Sequence, residues 1–163
     1  MRSRLLTVLA AAGPALLAGC TSGELAMQLL ATTELDSLEY RLEPDGRLTV
    51  TEGGGKLEGQ RDRPVYETRL DEPAMERMKQ VIAHSGFLLT ESPTRWGLSP
   101  APLIRMDVRL GMWHNVVQTR GRRVESLGKI IAEMNRQLPE RYQLIYEPPP
   151  DEEETTTFES LLK

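Results

Sequence analysis

The sequence feature that most constrains the fold is a strict alternation of apolar and polar residues near position 107. Apolar residues occupy every second position there, namely Ile104, Met106, Val108 and Leu110. Charged residues fill the positions between them. A period of two predicts a β-strand with one face buried and the other in water. A chain with such a strand must cover that single apolar face with another layer.

Other short segments share this period and are also predicted to be strands: Leu38–Leu42, Leu48–Val50, Val65–Leu70, Trp113–Thr119 and, last in the chain, Tyr142–Tyr146. The first two are separated by Pro44-Asp45-Gly46. Proline sets φ and glycine permits positive φ, so these residues favour a tight turn. The first two segments are therefore predicted to form a hairpin.

Two segments have the spacing of helices. Asp71-Glu72-Pro73 supplies a capping side chain, an early acidic residue and a first-turn proline, and Gly86 suits the end of that helix. The second helix ends before Pro139 and has an apolar stripe formed by Val124, Leu127, Ile131, Met134 and Leu138. The sequence therefore predicts an α+β fold. An antiparallel sheet of about five or six strands carries two helices on one face, in the order β-β-β-α-β-β-α-β.

The first twenty residues have the layout of a secretory signal. A positive segment, Met1–Arg4, precedes an apolar run from Leu5 to Leu17, and small residues follow. The run is too short for a helix that spans roughly 30 Å of hydrocarbon. The segment ends in Leu17-Ala18-Gly19-Cys20, and Cys20 is the chain's one cysteine.

These four residues match the lipobox of bacterial lipoproteins at every position, and the segment resembles that family's signal peptide. The resemblance implies cleavage between Gly19 and Cys20, a diacylglycerol on the Cys20 thiol and acylation of the new amino group. Two or more acyl chains give stable anchoring where one is marginal. Thr21 replaces the aspartate that often retains such proteins in the inner membrane, so an outer-membrane location facing the periplasm is expected. The alternative is a plain secretory peptide with a cysteine at its cleavage site.

The chain is accordingly divided into a signal peptide (1–19), a lipidated N-terminus and tether (20–36), an α+β domain (37–146) and a disordered acidic tail (147–163). The tail combines three prolines with an acidic run and cannot bury enough apolar surface to stay ordered. Its own net charge is -5, against -4 for the whole chain. The domain itself is close to neutral, which argues against nucleic-acid binding.

No constellation of residues points to catalysis or to a metal. The two histidines, His84 and His114, are too few and too far apart for a metal site. A G-x-S-x-G nucleophile turn is absent, and Gly53-Gly54-Gly55-Lys56 lacks the spacing of a phosphate loop. The sequence therefore predicts a protein that is not an enzyme and that uses no cofactor or metal.

The candidate binding residues are arginines and tryptophans. Arg105 and Arg109 share the polar face of their strand, where they favour an anionic ligand such as a lipid head group or a polyanionic polymer, or a protein partner. Arg95 and Trp96 lie in the proline-rich loop Thr90–Pro102, and Trp113 lies at a hairpin turn. Tryptophan and arginine are enriched at binding hot spots. The alternatives are a solvated sheet face with arginines paired to Asp107, and a Trp96 that folds back onto the core.

A second resemblance concerns residues 38–138. The order Arg47-Leu-Thr-Val50, then Thr68-Arg-Leu-Asp-Glu-Pro73 entering a helix that closes with Gly86-Phe87, is similar to emfourin-type protease inhibitor domains. These are small secreted domains with a two-strand, helix, two-strand, helix layout. The resemblance implies protein binding rather than catalysis, and it assigns no functional residue.

The expected function is that of a lipid-anchored lipoprotein of the bacterial envelope, with a small non-enzymatic domain that binds an envelope protein or ligand. The protein is expected to associate with the membrane through the lipid on Cys20. The alternatives are an envelope protease inhibitor and an enzyme whose site the sequence does not reveal.

Overall fold

The computed structural model describes residues 23–33, 36–54, 63–93 and 101–146. These residues contain six strands: β1 Leu25–Thr32, β2 Asp36–Leu42, β3 Arg47–Gly54, β4 Arg63–Arg69, β5 Leu103–Leu110 and β6 Trp113–Arg120. They contain two α-helices, α1 Glu72–Ser85 and α2 Glu125–Asn135, and 3-10 turns at Phe87–Leu89 and Glu140–Tyr142. The strands form one antiparallel sheet in the order β4-β3-β2-β1-β5-β6. The predicted α+β class is confirmed.

The predicted helices form with the expected ends. Asp71 Oδ1 accepts a hydrogen bond of 2.8 Å from Ala74 N at the start of α1, and Gly86 ends this helix with φ 82°. The positive φ is one that side-chain-bearing residues rarely adopt. All five residues of the predicted α2 stripe are buried. Both helices therefore cover one face of the sheet, and the apolar core lies between the two layers.

β1 corrects the prediction that residues 20–36 form a tether. This strand lies inside the sheet and pairs with β2 on one side and β5 on the other. Its alternate residues Leu25, Met27, Leu29 and Ala31 are buried. The segment is rich in residues that favour helices, and only Gln28 interrupts its apolar run clearly. Pairing on both edges overrides that local preference.

The predicted last strand, Tyr142–Tyr146, does not form. Its first residue, Tyr142, belongs to the Glu140–Tyr142 turn. At Leu144 the backbone bonds to the Asn135 side chain instead of to a neighbouring strand. Asn135 Nδ2 donates to the Leu144 carbonyl at 2.9 Å, and Asn135 Oδ1 accepts from Leu144 N at 3.0 Å. The observed order is therefore β-β-β-β-α-β-β-α: one strand is gained at the start and one is lost at the end.

Both edges of the sheet are partly covered. Along β6, Asn115 Nδ2 donates to the Phe87 and Thr90 carbonyls at 2.6 and 2.8 Å, and Gln118 N donates to Ser92 Oγ at 3.0 Å. On the other edge, β4 contains Pro64, which has no N–H. The register of β3 with β4 also shifts at Val50/Thr51, and Tyr142 Oη donates to the Val65 carbonyl at 3.0 Å.

One core residue lacks a polar partner. Tyr40 on β2 is fully buried, and its hydroxyl has no hydrogen-bond partner among the described residues. Burial raises the pKa of Tyr40 to about 12, because the phenolate would be formed away from water. A buried hydroxyl without a partner costs about 1–3 kcal/mol of desolvation.

We expect Tyr40→Phe to be as stable as the wild type or more stable at pH 7, by up to about 1 kcal/mol. The wild type should also lose stability as pH rises from 10 to 12, because tyrosine ionises near pH 10 in the unfolded chain and near 12 in the folded one. The variant lacks this loss. Urea unfolding at pH 7 and pH 11 measures both effects, and other alkaline titrations cancel in the comparison. A variant less stable than the wild type by more than about 1 kcal/mol at pH 7 would show that the hydroxyl has a partner.

Candidate binding face

The sheet face opposite the helices is accessible to solvent. We call it the open face, and its side chains are polar and half-buried or exposed: Gln28, Glu39, Arg41, Thr49, Arg105, Asp107, Arg109, His114 and Gln118. They point this way because strand residues alternate between faces, and the apolar set of each strand faces the helices. The face is therefore a mainly polar surface, interrupted by Ala26, Leu30 and Val116, and the register of six strands fixes it.

Two carboxylates on the open face are already paired with neighbours. Glu39 Oε1 accepts from Gln28 Nε2 and from Arg41 Nη2, each at 2.8 Å. Asp107 Oδ1 accepts from His114 Nε2 at 2.9 Å. The bond from Gln28 crosses from β1 to β2 and the bond from His114 crosses from β6 to β5, whereas that from Arg41 stays within β2. The acids of this face are thus held by side chains other than Arg105 and Arg109.

Arg105 and Arg109 lie on the open face, as their alternation predicts. Both are exposed, and the register sets Arg105 opposite Gln118 and Arg109 opposite His114. Within the described ranges neither guanidinium has an ion-pair partner, because Asp107 between them binds His114 instead. Among the described residues these arginines therefore form no ion pair with Asp107, and the solvated sheet face stays a prediction. The β5–β6 half of the open face therefore carries a small net positive charge, two arginines against the one carboxylate of Asp107.

A shallow depression of about 250 Å³ lies at one end of the open face. Its floor is at Ala26 on β1, whose small side chain leaves a gap between longer neighbours. Arg41 rises on the β2 side and Arg109 on the β5 side, with Glu43 and Asp107 completing the wall. Arg41 already binds Glu39, so Arg109 is the guanidinium of this depression that has no ion-pair partner among the described residues.

Trp113 lies apart from these arginines. It pairs with Leu110 on the helix side of the sheet and is 42% exposed at the turn between β5 and β6. We call this turn, Gly111–Trp113, the hairpin tip. Leu103 and Arg120 mark the other end of the two strands, about 23 Å away at 3.3 Å per residue. Ser92 and Ala101, which flank the loop with Arg95 and Trp96, border that far end. Of the three candidate residues in the described part of the chain, Arg105 and Arg109 share the open face and Trp113 lies on the helix side.

Several predicted site residues lie outside the described residues: Gly19, Cys20, Arg95 and Trp96. The described chain begins at Gly23, beside the hairpin tip. Gly111 N donates to the Glu24 carbonyl at 3.0 Å. A Cβ atom on Gly23 would overlap the Gly111 Cα atom, so this close approach requires glycine. Cys20 is thus three residues from a fixed point on the domain.

One polar cluster was not expected from the sequence. Glu133 on α2 is only 3% exposed and bridges the two helices. It accepts from Arg136 Nη1 at 2.7 Å, and its carboxylate lies 3.6 Å from Arg77 Nε of α1. Glu133 follows the buried Ile130 by three residues, so helical spacing places it on the buried side of α2. Its charge suggests solvent exposure, and only the position of α1 shows that it is enclosed.

The histidines have ordinary structural roles. His84 lies in the last turn of α1, where its Nδ1 donates to the Gln80 carbonyl at 2.7 Å, and His114 binds Asp107. Among the described residues there is no group of three or more side chains that could hold a metal ion. Within the same residues, no helix has the length and hydropathy needed to cross a membrane.

No protein-family model matches this chain, and no curated protein matches it at a significant level. The likeness of the first twenty residues to lipoprotein signals and that of residues 38–138 to small inhibitor domains both stay predictions. The function has to be argued from the residues and their geometry.

Proposed function

We propose that this chain is a lipid-anchored protein of the bacterial cell envelope whose α+β domain binds another envelope protein through the open face. The observation that carries the anchoring is the four-position lipobox match that ends at Cys20. The domain begins three residues later at Gly23. The anchored domain faces the periplasm from the outer membrane and needs no catalytic residue, cofactor or metal for this role.

The charge of the open face indicates what kind of partner it suits. Arg105 and Arg109 have no carboxylate partner among the described residues, and His114 lies beside them. The β1, β5 and β6 part of the face therefore complements an acidic patch on the partner. Exposed arginines mainly govern the association rate and the choice of partner, rather than the total binding energy. Arg109, which lines the depression over Ala26, is the group there that would bind an acidic side chain of the partner.

The anchor is tested by Cys20→Ser. The wild-type protein is expected in the membrane fraction, with an intact mass that includes acyl chains on Cys20. The variant should be unprocessed or released, because its serine hydroxyl cannot replace the thiol that accepts the diacylglycerol. Thr21→Ser is the matched control and should behave as the wild type. Equal mobility and equal membrane partition of Cys20→Ser and wild type would contradict the anchor.

The binding face is tested by crosslinking the anchored protein in living cells and identifying partners by mass spectrometry. One dominant partner is expected, and Arg105→Ser with Arg109→Ser should reduce its yield about tenfold. Arg122→Ser with Arg123→Ser removes the same charge outside the open face and should leave the yield unchanged. Arg95→Ala with Trp96→Ala examines the loop predicted from the sequence. A yield that depends on neither arginine pair, or no partner above background, would contradict binding through this face.

A further inference from the structure

Few residues separate the proposed lipid on Cys20 from the start of β1. Only Thr21 and Ser22 separate Cys20 from Gly23, and three residues span at most about 10 Å. Gly23 and Glu24 are held against Gly111 by close backbone contact and by the Gly111 N to Glu24 O hydrogen bond. An acylated Cys20 would therefore keep the hairpin tip about 10 Å or less from the bilayer surface.

The hairpin tip exposes the side chains that a membrane interface favours. Four large apolar side chains are exposed among the described residues: Leu89, Met112, Trp113 and Ile145. Two of the four are adjacent at the tip, where Met112 is 92% and Trp113 42% exposed. Tryptophan concentrates at membrane interfaces because its ring is apolar and its N–H is polar. An apolar turn next to the anchoring point fits the head-group region of a bilayer.

The charges around the tip are close to balance. Arg109 lies near the carboxylates of Asp107 and Glu24 at the neighbouring strand ends. At the adjacent turn, Glu43 pairs with Arg47 and Asp45 with Arg69. The tip therefore has little charge-based preference for anionic lipids, and its affinity comes from Met112 and Trp113.

The acidic C-terminal segment begins at the far end of the domain from the tip. Tyr146, the last described residue, accepts from Val124 N at 2.9 Å through its hydroxyl, and the hydroxyl also lies 3.3 Å from the Arg122 carbonyl. Val124 and Arg122 directly follow β6, whose last residue pairs with Leu103. The segment 147–163, with a net charge of -5, thus follows a residue that lies away from the end of the domain nearest Cys20.

We propose that the hairpin tip docks on the phospholipid bilayer, with Met112 and Trp113 seated among the head groups. The proposal rests on the proposed function, because the lipid on Cys20 supplies the high local concentration that two side chains need. Docking at this end makes β5 and β6 rise from the membrane and places Leu103 and Arg120 outermost. The open face then stands beside the membrane, accessible to a partner in the periplasm.

The test uses tryptophan fluorescence of the acylated full-length protein in phosphatidylcholine vesicles with bromine on the upper acyl chains. Trp96→Phe leaves Trp113 as the single reporter. A distal reporter is made by Arg122→Trp in a protein that also carries Trp96→Phe and Trp113→Phe. Bromine should quench Trp113 emission about twofold and leave the distal reporter nearly unchanged. Met112→Glu, at a highly exposed position, should reduce the quenching of Trp113 by about half.

Each outcome decides between the two proposals. If mass spectrometry finds acyl chains on Cys20 and Trp113 is not quenched, tip docking is wrong and the lipid anchor stands. Equal quenching of both reporters would also overturn tip docking, because the domain would then have no fixed orientation. Unchanged quenching in Met112→Glu would overturn the seating of the tip. A Cys20 without acyl chains would overturn the proposed anchor itself.

Discussion

A chain that begins at Asp36 should show no cooperative unfolding transition, whereas a chain that begins at Gly23 should unfold like the full-length protein. The shorter chain lacks β1, which joins β2 to β5 and holds the two halves of the sheet together. Without it, β2 and β5 each lose every cross-strand contact on one side, and the four buried side chains of β1 leave the core.

The expected effect is loss of the fold. Full burial of a leucine or methionine contributes about 1.5–3 kcal/mol, and Leu25, Met27 and Leu29 are all fully or almost fully buried. Their sum rivals the 5–15 kcal/mol by which most domains are stable. Guanidinium unfolding followed by circular dichroism measures the difference between the two chains. A sigmoidal transition in the chain from Asp36 would show that β1 is dispensable.

Phe87→Ala should lower the free energy of unfolding by about 3–5 kcal/mol. The Phe87 side chain is fully buried directly after the Gly86 cap, and its carbonyl accepts from Asn115 of β6. Loss of the ring leaves a cavity where α1, the 3-10 turn and β6 meet. Urea unfolding with a common m-value gives the change in stability.

Leu89→Ala is the matched control for this prediction. Leu89 belongs to the same 3-10 turn and is 80% exposed, so its truncation should change stability by less than about 0.5 kcal/mol. Equal effects of the two substitutions would mean that the turn does not pack as described. A large effect at Phe87 alone would show that the residue after the Gly86 cap stabilises the fold by packing against β6.

The sequence predicts those elements whose two faces differ most. β5 alternates apolar and charged residues, and the α2 stripe repeats at helical steps, so both were found with their buried faces. β1 was missed because Ala26 and Leu30 face the open side, where a polar residue would have completed the alternation. Spacing predicts a strand after Pro139, because the bonds from Asn135 to Leu144 leave no trace in the residue pattern.

In the candidate site, too, residue pattern predicts some features and tertiary contacts determine the others. Arg105 and Arg109 were found because alternation alone places them on one face. Neither arginine pairs with Asp107, because His114 binds that carboxylate. His114 lies on this face only because of the register of β5 with β6. Glu133 was missed because a carboxylate is expected in water, and its enclosure depends on Arg77 of another helix. Such contacts between distant elements are set by tertiary packing.

The covered sheet edges matter for a protein held on a surface. Lipid anchoring confines molecules to two dimensions, where neighbours collide edge to edge far more often than in dilute solution. An unprotected strand edge would then extend from one copy to the next and begin a cross-β aggregate. Side-chain bonds to Asn115 and Gln118 occupy one edge, and Pro64 interrupts the other. Under the proposed lipid anchor, these partly covered edges would limit edge-to-edge pairing between neighbouring copies.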